Sequence, residues 1–212
     1  MGGTTTQMIE TPYGPGRLFT RRARRPQATL LLSHGAGNGI DTHDLMALND
    51  ALPGQGITVV RFEQPWRVKG KPVATPPKSL DAALTTAANW MRVRTPLVVG
   101  GRSAGARSAV RTARGLGAAG ALCLAFPLHP PSKPQNSRAH ELLDAKVPTL
   151  VLQGTRDRFG TPEEFPDSVE VTPIPGADHS LVVGKRGPVS QSDADAILVE
   201  STLEWLVREV IA

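Results

Sequence analysis

The stretch Leu97-Val98-Val99-Gly100-Gly101-Arg102-Ser103-Ala104-Gly105 decides how this chain is read. An aliphatic run ends in small residues, and an alanine-rich segment with helical spacing follows over 104–116. That is the pattern of a strand, a sharp turn and a helix. Within it, Gly101-Arg102-Ser103-Ala104-Gly105 matches G-x-S-x-G, in which a serine hydroxyl is presented at the tip of such a turn. A nucleophile there has strained dihedrals, and small residues two before and two after it let strand and helix approach without a clash. The start of the helix also turns its free amides and positive dipole end toward the reacting oxygen. In a chain with 21 glycines the pattern alone is weak, so its flanks carry the argument.

Working outward, apolar runs at 29–33, 58–62, 96–100, 120–126 and 149–154 read as buried strands, and 168–174 as a more polar one. Helical spacing occupies 44–52, 80–93, 104–116, 138–143 and 193–211, the last carrying Ile197, Leu198, Leu203, Trp205, Leu206 and Val210. This alternation predicts an α/β domain with a mainly parallel sheet and helices on both faces. The segments 7–10 and 16–21 flank Pro12-Tyr13-Gly14-Pro15 and predict an antiparallel hairpin at the sheet edge. The Pro-rich segments 71–78 and 127–134 each follow a strand and are expected as loops over a site. The chain between 126 and 149 is too short for a large cap domain, so an open, shallow pocket is expected.

At 212 residues, the whole chain, 1–212, is expected to form a single domain around one core. No apolar run approaches the ~20 residues that span a bilayer, and the start, MGGTTTQMIE, lacks a secretory signal, although Met1, Gly2 and Thr6 fit the loose myristoylation pattern. With a lone cysteine, Cys123, inside an apolar run, the expected setting is the cytoplasm, without membrane attachment. The formal charge is +5, and the densest basic cluster is Arg21, Arg22, Arg24 and Arg25. It is short, free of interleaved aromatics and placed between two predicted strands, so nucleic-acid binding is not expected. Nor is nucleotide binding, because the one G-x-G-x-x-G, Gly115 to Gly120, precedes a strand and no Gly-Lys-Ser/Thr occurs in the Gly-rich stretch 35–39.

A serine hydroxyl near neutral pH needs an imidazole base, and that base needs an acid to fix its tautomer. Of five histidines, His179 in Gly176-Ala177-Asp178-His179-Ser180 lies between the last strand and the closing helix. Asp157 sits just past the strand 149–154, at the carboxyl end where open α/β sheets assemble sites. Asp178 is the rival acid, but its adjacency to His179 makes the correct ring nitrogen hard to reach, so a loop-ordering role is expected. The oxyanion amides are assigned to Ala104 and, in Ser33-His34-Gly35-Ala36-Gly37-Asn38-Gly39, to Ala36, with Gly35 a nearby alternative. His34, Gly35, Arg102 and His129 are candidate pocket residues, and Arg61, Arg102, Lys69 and Lys71 are cations that would favour a negatively charged substrate, although solvated surface charge is their expected role. The cluster of His34, Asp41, His43 and Asp44 fits no zinc spacing, so neither a metal nor another cofactor is expected.

Taken together, Ser-His-Gly-Ala-Gly at 33–37, Gly-Arg-Ser-Ala-Gly at 101–105, Gly-Thr-Arg-Asp at 154–157 and Gly-Ala-Asp-His-Ser at 176–180 resemble the α/β-hydrolase superfamily over nearly the whole chain. Arg61-Phe62-Glu63-Gln64-Pro65, Phe126-Pro127-Leu128-His129-Pro130-Pro131 and Gly160-Thr161-Pro162-Glu163-Glu164 resemble its dienelactone-hydrolase-like branch, which includes the testis-expressed and KANSL-type hydrolase-like domains. Dienelactone hydrolases proper carry a cysteine nucleophile, where this chain has Ser103. The order Ser, Asp, His along the chain is the order of this superfamily. The resemblance implies a serine hydrolase acting on a small or extended ester through an acyl-enzyme on Ser103. A hydrolase-like scaffold without turnover and an acyltransferase are the alternatives that sequence leaves open.

Overall fold

The computed structural model describes residues 3–211. One eight-stranded sheet runs through the molecule in the order β1-β2-β4-β3-β5-β6-β7-β8. Its strands are β1 (Thr5–Thr11), β2 (Gly14–Arg21), β3 (Ala28–Ser33), β4 (Ile57–Glu63), β5 (Leu97–Arg102), β6 (Gly120–Leu124), β7 (Thr149–Gly154) and β8 (Glu170–Ile174). From β4 to β8 all neighbours are parallel, and β1 and β2 form the antiparallel hairpin, with β2 pairing antiparallel to β4. The central strands are uninterrupted aliphatic runs because both faces are covered.

Strand periodicity sorts those runs into two cores. Leu31, Val60, Val99, Ala121 and Val151 face one side, under α3 (Pro77–Met91), α4 (Ala104–Ala113) and α5 (Ala139–Asp144). Leu30, Leu32, Val59, Val98, Leu122 and Leu150 face the other, under α1 (His43–Ala51) and α6 (Gln191–Leu206). A single turn, α2 (Pro65–Val68), follows β4. The α4 helix can lie close to the sheet because its inner residues are small: Ala106, Ala109 and Ala113 are each fully buried.

Boundaries differ from sequence expectation in ways that local chemistry explains. The β6 strand stops at Leu124 because Ala125 turns to φ 47°, which aims the chain away from the sheet. The closing helix starts at Gln191, where the Ser190 hydroxyl accepts from the Asp193 amide, and it loosens into a π-type turn over Val207–Ile211. The α3 helix begins earlier than its apolar spacing suggests, with Pro77 at its first position. Among the described residues no inserted domain covers the carboxyl end of the sheet, and no helix is long and apolar enough to cross a membrane. Met1 and Gly2, and with them the myristoylation pattern, lie outside the described residues.

Candidate active site

The carboxyl edge of the sheet is where its layers diverge: β3 and β5 are neighbours, yet the chain leaves β3 for one face and β5 for the other. That crevice is the usual binding place of an open α/β sheet. Ser103 stands at its rim, at φ 52° and ψ −110°. A non-glycine residue holds such dihedrals only when its surroundings enforce them. Here the Ser103 amide donates to the Leu124 carbonyl at 2.9 Å, and α4 starts at the next residue. A Cβ on either Gly101 or Gly105 would run into the Ser33 carbonyl, so the crossing of β5 and α4 over β3 requires glycine at both positions.

Ser103 Oγ lies 2.9 Å from His179 Nε2. On the far side of the ring, Nδ1 is 2.8 Å from Asp157 Oδ2. The three residues leave the ends of β5, β7 and β8, so the sheet itself sets their spacing. With Asp157 accepting at Nδ1–H, the imidazole presents an unprotonated Nε2 to the hydroxyl. Asp157 is fully buried at its side chain, while that of His179 is 23% exposed. The carboxylate is held from behind: Gln153 Nε2 donates to Oδ2 at 2.8 Å and the Phe159 amide to Oδ1 at 2.8 Å. Phe159 also lies against the His179 ring, with centroids 4.1 Å apart. Asp178 turns away from the imidazole, and its Oδ1 accepts from the Ser180 and Val182 amides at 2.7 and 3.2 Å.

The loop carrying His179 is gripped through three consecutive carbonyls. Arg102 Nη2 donates to the His179 carbonyl at 3.0 Å, His43 Nε2 to the Ser180 carbonyl at 2.9 Å, and Gln191 Nε2 to the Leu181 carbonyl at 3.2 Å. The donors come from the residue before Ser103, the start of α1 and the start of α6, and they fix a loop whose Leu181 adopts φ 55°. Arg102 is itself nearly buried, its Nε 3.2 Å from Asp44 Oδ2, and the Asp44 side chain has no exposed surface. That N–H is misaligned for a hydrogen bond, so the pair is held by charge across a short, dry gap. His43 Nδ1 meets Asp195 Oδ1 at 3.0 Å.

The other residues singled out from sequence fall into place as follows. Ala104 opens α4, where first-turn amides have no acceptor within the helix. Ala36 lies on the exposed loop after β3, and Gly35 packs beside Arg102 and Ser103, its ideal Cβ position only 3.5 Å from Ser103 Cβ. His34 is buried, bonded through Nδ1 to the Gly35 carbonyl at 2.8 Å and accepting the Gln64 amide at Nε2 at 3.0 Å. Burial lowers its pKa from 6.5 to about 4, so the ring is a neutral strut for the loop and offers no free nitrogen to a ligand. His129 bonds the Pro130 carbonyl at 3.1 Å and Glu164 Oε2 at 2.9 Å.

Three of the four cations weighed for a charged substrate are spoken for: Arg61 by Asp41 and the Ile40 carbonyl, Arg102 by Asp44, and Lys69 by the Tyr13 carbonyl. Likewise His34, Asp41, His43 and Asp44 each serve a separate partner. No group of three or more metal-binding side chains converges among the described residues. Sequence reasoning missed Gln153, Phe159 and Gln191, whose roles are tertiary contacts rather than motif positions. It noticed His43 and Asp44 only as ligand types.

A model of the alpha/beta hydrolase domain matches residues 26–206. A serine hydrolase without lid from Xanthomonas campestris is similar at 19% identity and a TM-score of 0.75, over 100% of this chain and 97% of that one. The esterase domain of a Rhodothermus marinus protein is similar at 16% and 0.74, over 100% of both chains. A dienelactone hydrolase from Anabaena variabilis is similar at 16% and 0.68, over 99% and 100%. The likeness to these structures is one of fold, and with the family match over most of its length the chain belongs to the alpha/beta hydrolase family.

Proposed function

We propose that this chain is a serine hydrolase of small or extended carboxylic esters, with Ser103 as nucleophile, His179 as base and Asp157 as orienting acid. The observation that carries the reading is the unbroken line from Ser103 Oγ through His179 to Asp157, at 2.9 and 2.8 Å, on a strained turn. Such a line has no structural duty that simpler packing would not meet. The likeness to a serine hydrolase without lid and to an esterase domain supports the same chemistry.

In the proposed cycle, Ser103 Oγ attacks the ester carbonyl while Nε2 of His179 takes its proton. Asp157 keeps Nδ1–H in place and stabilises the imidazolium. The oxyanion is held by the amides of Ala104 and Ala36, with Gly35 beside them. His179 then returns the proton to the departing alcohol, and water, activated by the same Nε2, releases the acid. The absence of a lid among the described residues suits an accessible acyl-enzyme and water as the acceptor. Its one cysteine, Cys123, is buried and its thiol pushed up by burial, an inert group consistent with a cytoplasmic setting.

Turnover of p-nitrophenyl acetate at neutral pH by wild type, Ser103→Ala and His179→Ala tests the proposal. Activity lost in both variants, with folding retained, is expected; residual wild-type-level turnover in Ser103→Ala would sink it.

A further inference from the structure

The cleft beside His179 is built from two adjoining loops, those after β7 and β8. It holds about 460 Å³ and is lined by Arg156, Arg158, Phe159, Asp178, His179 and Val182 among others. This lies within the size range of small-molecule sites. Asp157 points inward to His179, and its neighbours Arg156 and Arg158 are thereby turned out, exposed, along the cleft. Among the described residues neither arginine forms an ion pair, although most arginines near the site do: Arg61 with Asp41, Arg102 with Asp44, Arg107 and Arg111 with Glu141. The one carboxylate on the cleft wall, Asp178, engages a single oxygen, Oδ1, with the Ser180 and Val182 amides. The cleft wall thus carries two guanidiniums against one carboxylate, a surplus of positive charge, and exposed Lys185 and Arg186 follow at the next turn.

Acid catalysis decides which half of an ester would occupy this cleft. The imidazolium that forms when Ser103 attacks must hand its proton to the departing oxygen, so the leaving alcohol sits within hydrogen-bond reach of His179. The cleft has His179 but not Ser103 among its lining residues, so the half of the ester that must reach His179, the leaving alcohol, is the half assigned to it here. Its apolar wall is Phe159 and the half-exposed Val182, suited to a flat or aliphatic body. A guanidinium recognises a carboxylate through two parallel hydrogen bonds, and a second one beside it adds charge.

We infer that the preferred substrates are esters whose leaving alcohol or phenol carries a carboxylate, bound by Arg156 and Arg158. The inference rests on the serine-hydrolase reading of Ser103 and His179. In the step itself, the bond from Ser103 Oγ to the acyl carbon forms as the bond from that carbon to the alcohol oxygen breaks. The proton on Nε2 goes to that oxygen, and the carboxylate stays on the departing half. Water then supplies the hydroxyl of the free acid, and no oxidant or other reactant is needed.

The test compares 4-acetoxybenzoate with its neutral methyl ester, which share one acyl group and so one deacylation step. The readout is the ratio of their kcat/KM values, anionic over neutral, in wild type and in Arg156→Gln/Arg158→Gln. The ratio should fall about tenfold in the double variant, as two exposed charge pairs allow. In wild type it should also fall as ionic strength rises from low to high salt. A ratio unchanged within about twofold would overturn the inference. Separately, binding of 4-hydroxybenzoate to Ser103→Ala, followed by NMR titration, should weaken about tenfold when both arginines are replaced. Absence of turnover with either ester would defeat the serine-hydrolase reading, whereas binding indifferent to the arginines would defeat the anion site alone.

Discussion

Replacing Arg102 by Met removes one donor and strands one acid, and the two effects can be separated. Asp44 has no exposed surface, and Arg102 Nε, 3.2 Å away, is its one ion-pair partner among the described residues. Leaving a buried carboxylate uncompensated costs about 3–5 kcal/mol. For a chain of this size that lowers the melting temperature by about 6–20 °C. In Arg102→Met/Asp44→Asn neither charge remains, so about 2 kcal/mol or more of the loss should return. The carbonyl of His179 still lacks the donor that held it at 3.0 Å in wild type. On the proposed mechanism, displacing His179 by a fraction of an ångström should cost about 10- to 100-fold in kcat, with KM little changed because substrate contacts are kept. Urea unfolding and p-nitrophenyl acetate kinetics on wild type, the single and the double variant provide the assay. A double variant as unstable as the single one would refute the buried-charge argument. A double variant with wild-type kcat would refute the positioning role of Arg102.

Other outcomes follow from single contacts. Gly105→Ala drives a methyl into the Ser33 carbonyl, so it should cost about 1–3 kcal/mol in urea unfolding and misplace the Ser103 turn, with esterase activity lost. Asp157→Asn keeps the shape but lets His179 adopt the wrong tautomer, for an expected loss of about 10³- to 10⁴-fold in kcat with near-native stability. His34 has a folded pKa of about 4 against 6.5 when free, so unfolding takes up a proton between those values. Its contribution is complete above pH 6.5 and is lost as pH falls toward 4, at about 1.4 kcal/mol per pH unit within that window. Urea midpoints measured across it should show a flatter pH profile in His34→Gln, and an unchanged slope would contradict the assignment.

Much of this architecture is legible in the sequence because parallel strands covered on both faces must be continuous apolar runs. The strand at 149–154 was readable to the residue, since Pro148 precedes it and a turn follows Gly154. The family resemblance drawn from the motifs around Ser103, Asp157 and His179 agrees with the family match. Motif spacing was therefore enough to reach the family. What escaped reading were side chains whose partners lie far away in sequence. Nothing local tells that His43 reaches the Ser180 carbonyl 137 residues on, or that Phe159 lies against the His179 ring. Arg102 looked like a cation available to substrate, yet its charge is consumed by Asp44, a partner visible only once α1 has packed on the sheet. Conversely, Arg156 and Arg158 drew no notice because an exposed arginine in a turn has no signature until the cleft beside it exists.

The most direct measurement of the central claim is fluorophosphonate labelling followed by peptide mass spectrometry. A single stoichiometric adduct on Ser103 is expected in wild type, with no adduct in Ser103→Ala and sharply slowed labelling in His179→Ala. A folded wild-type protein that remains unlabelled, or one labelled at another serine, would contradict it.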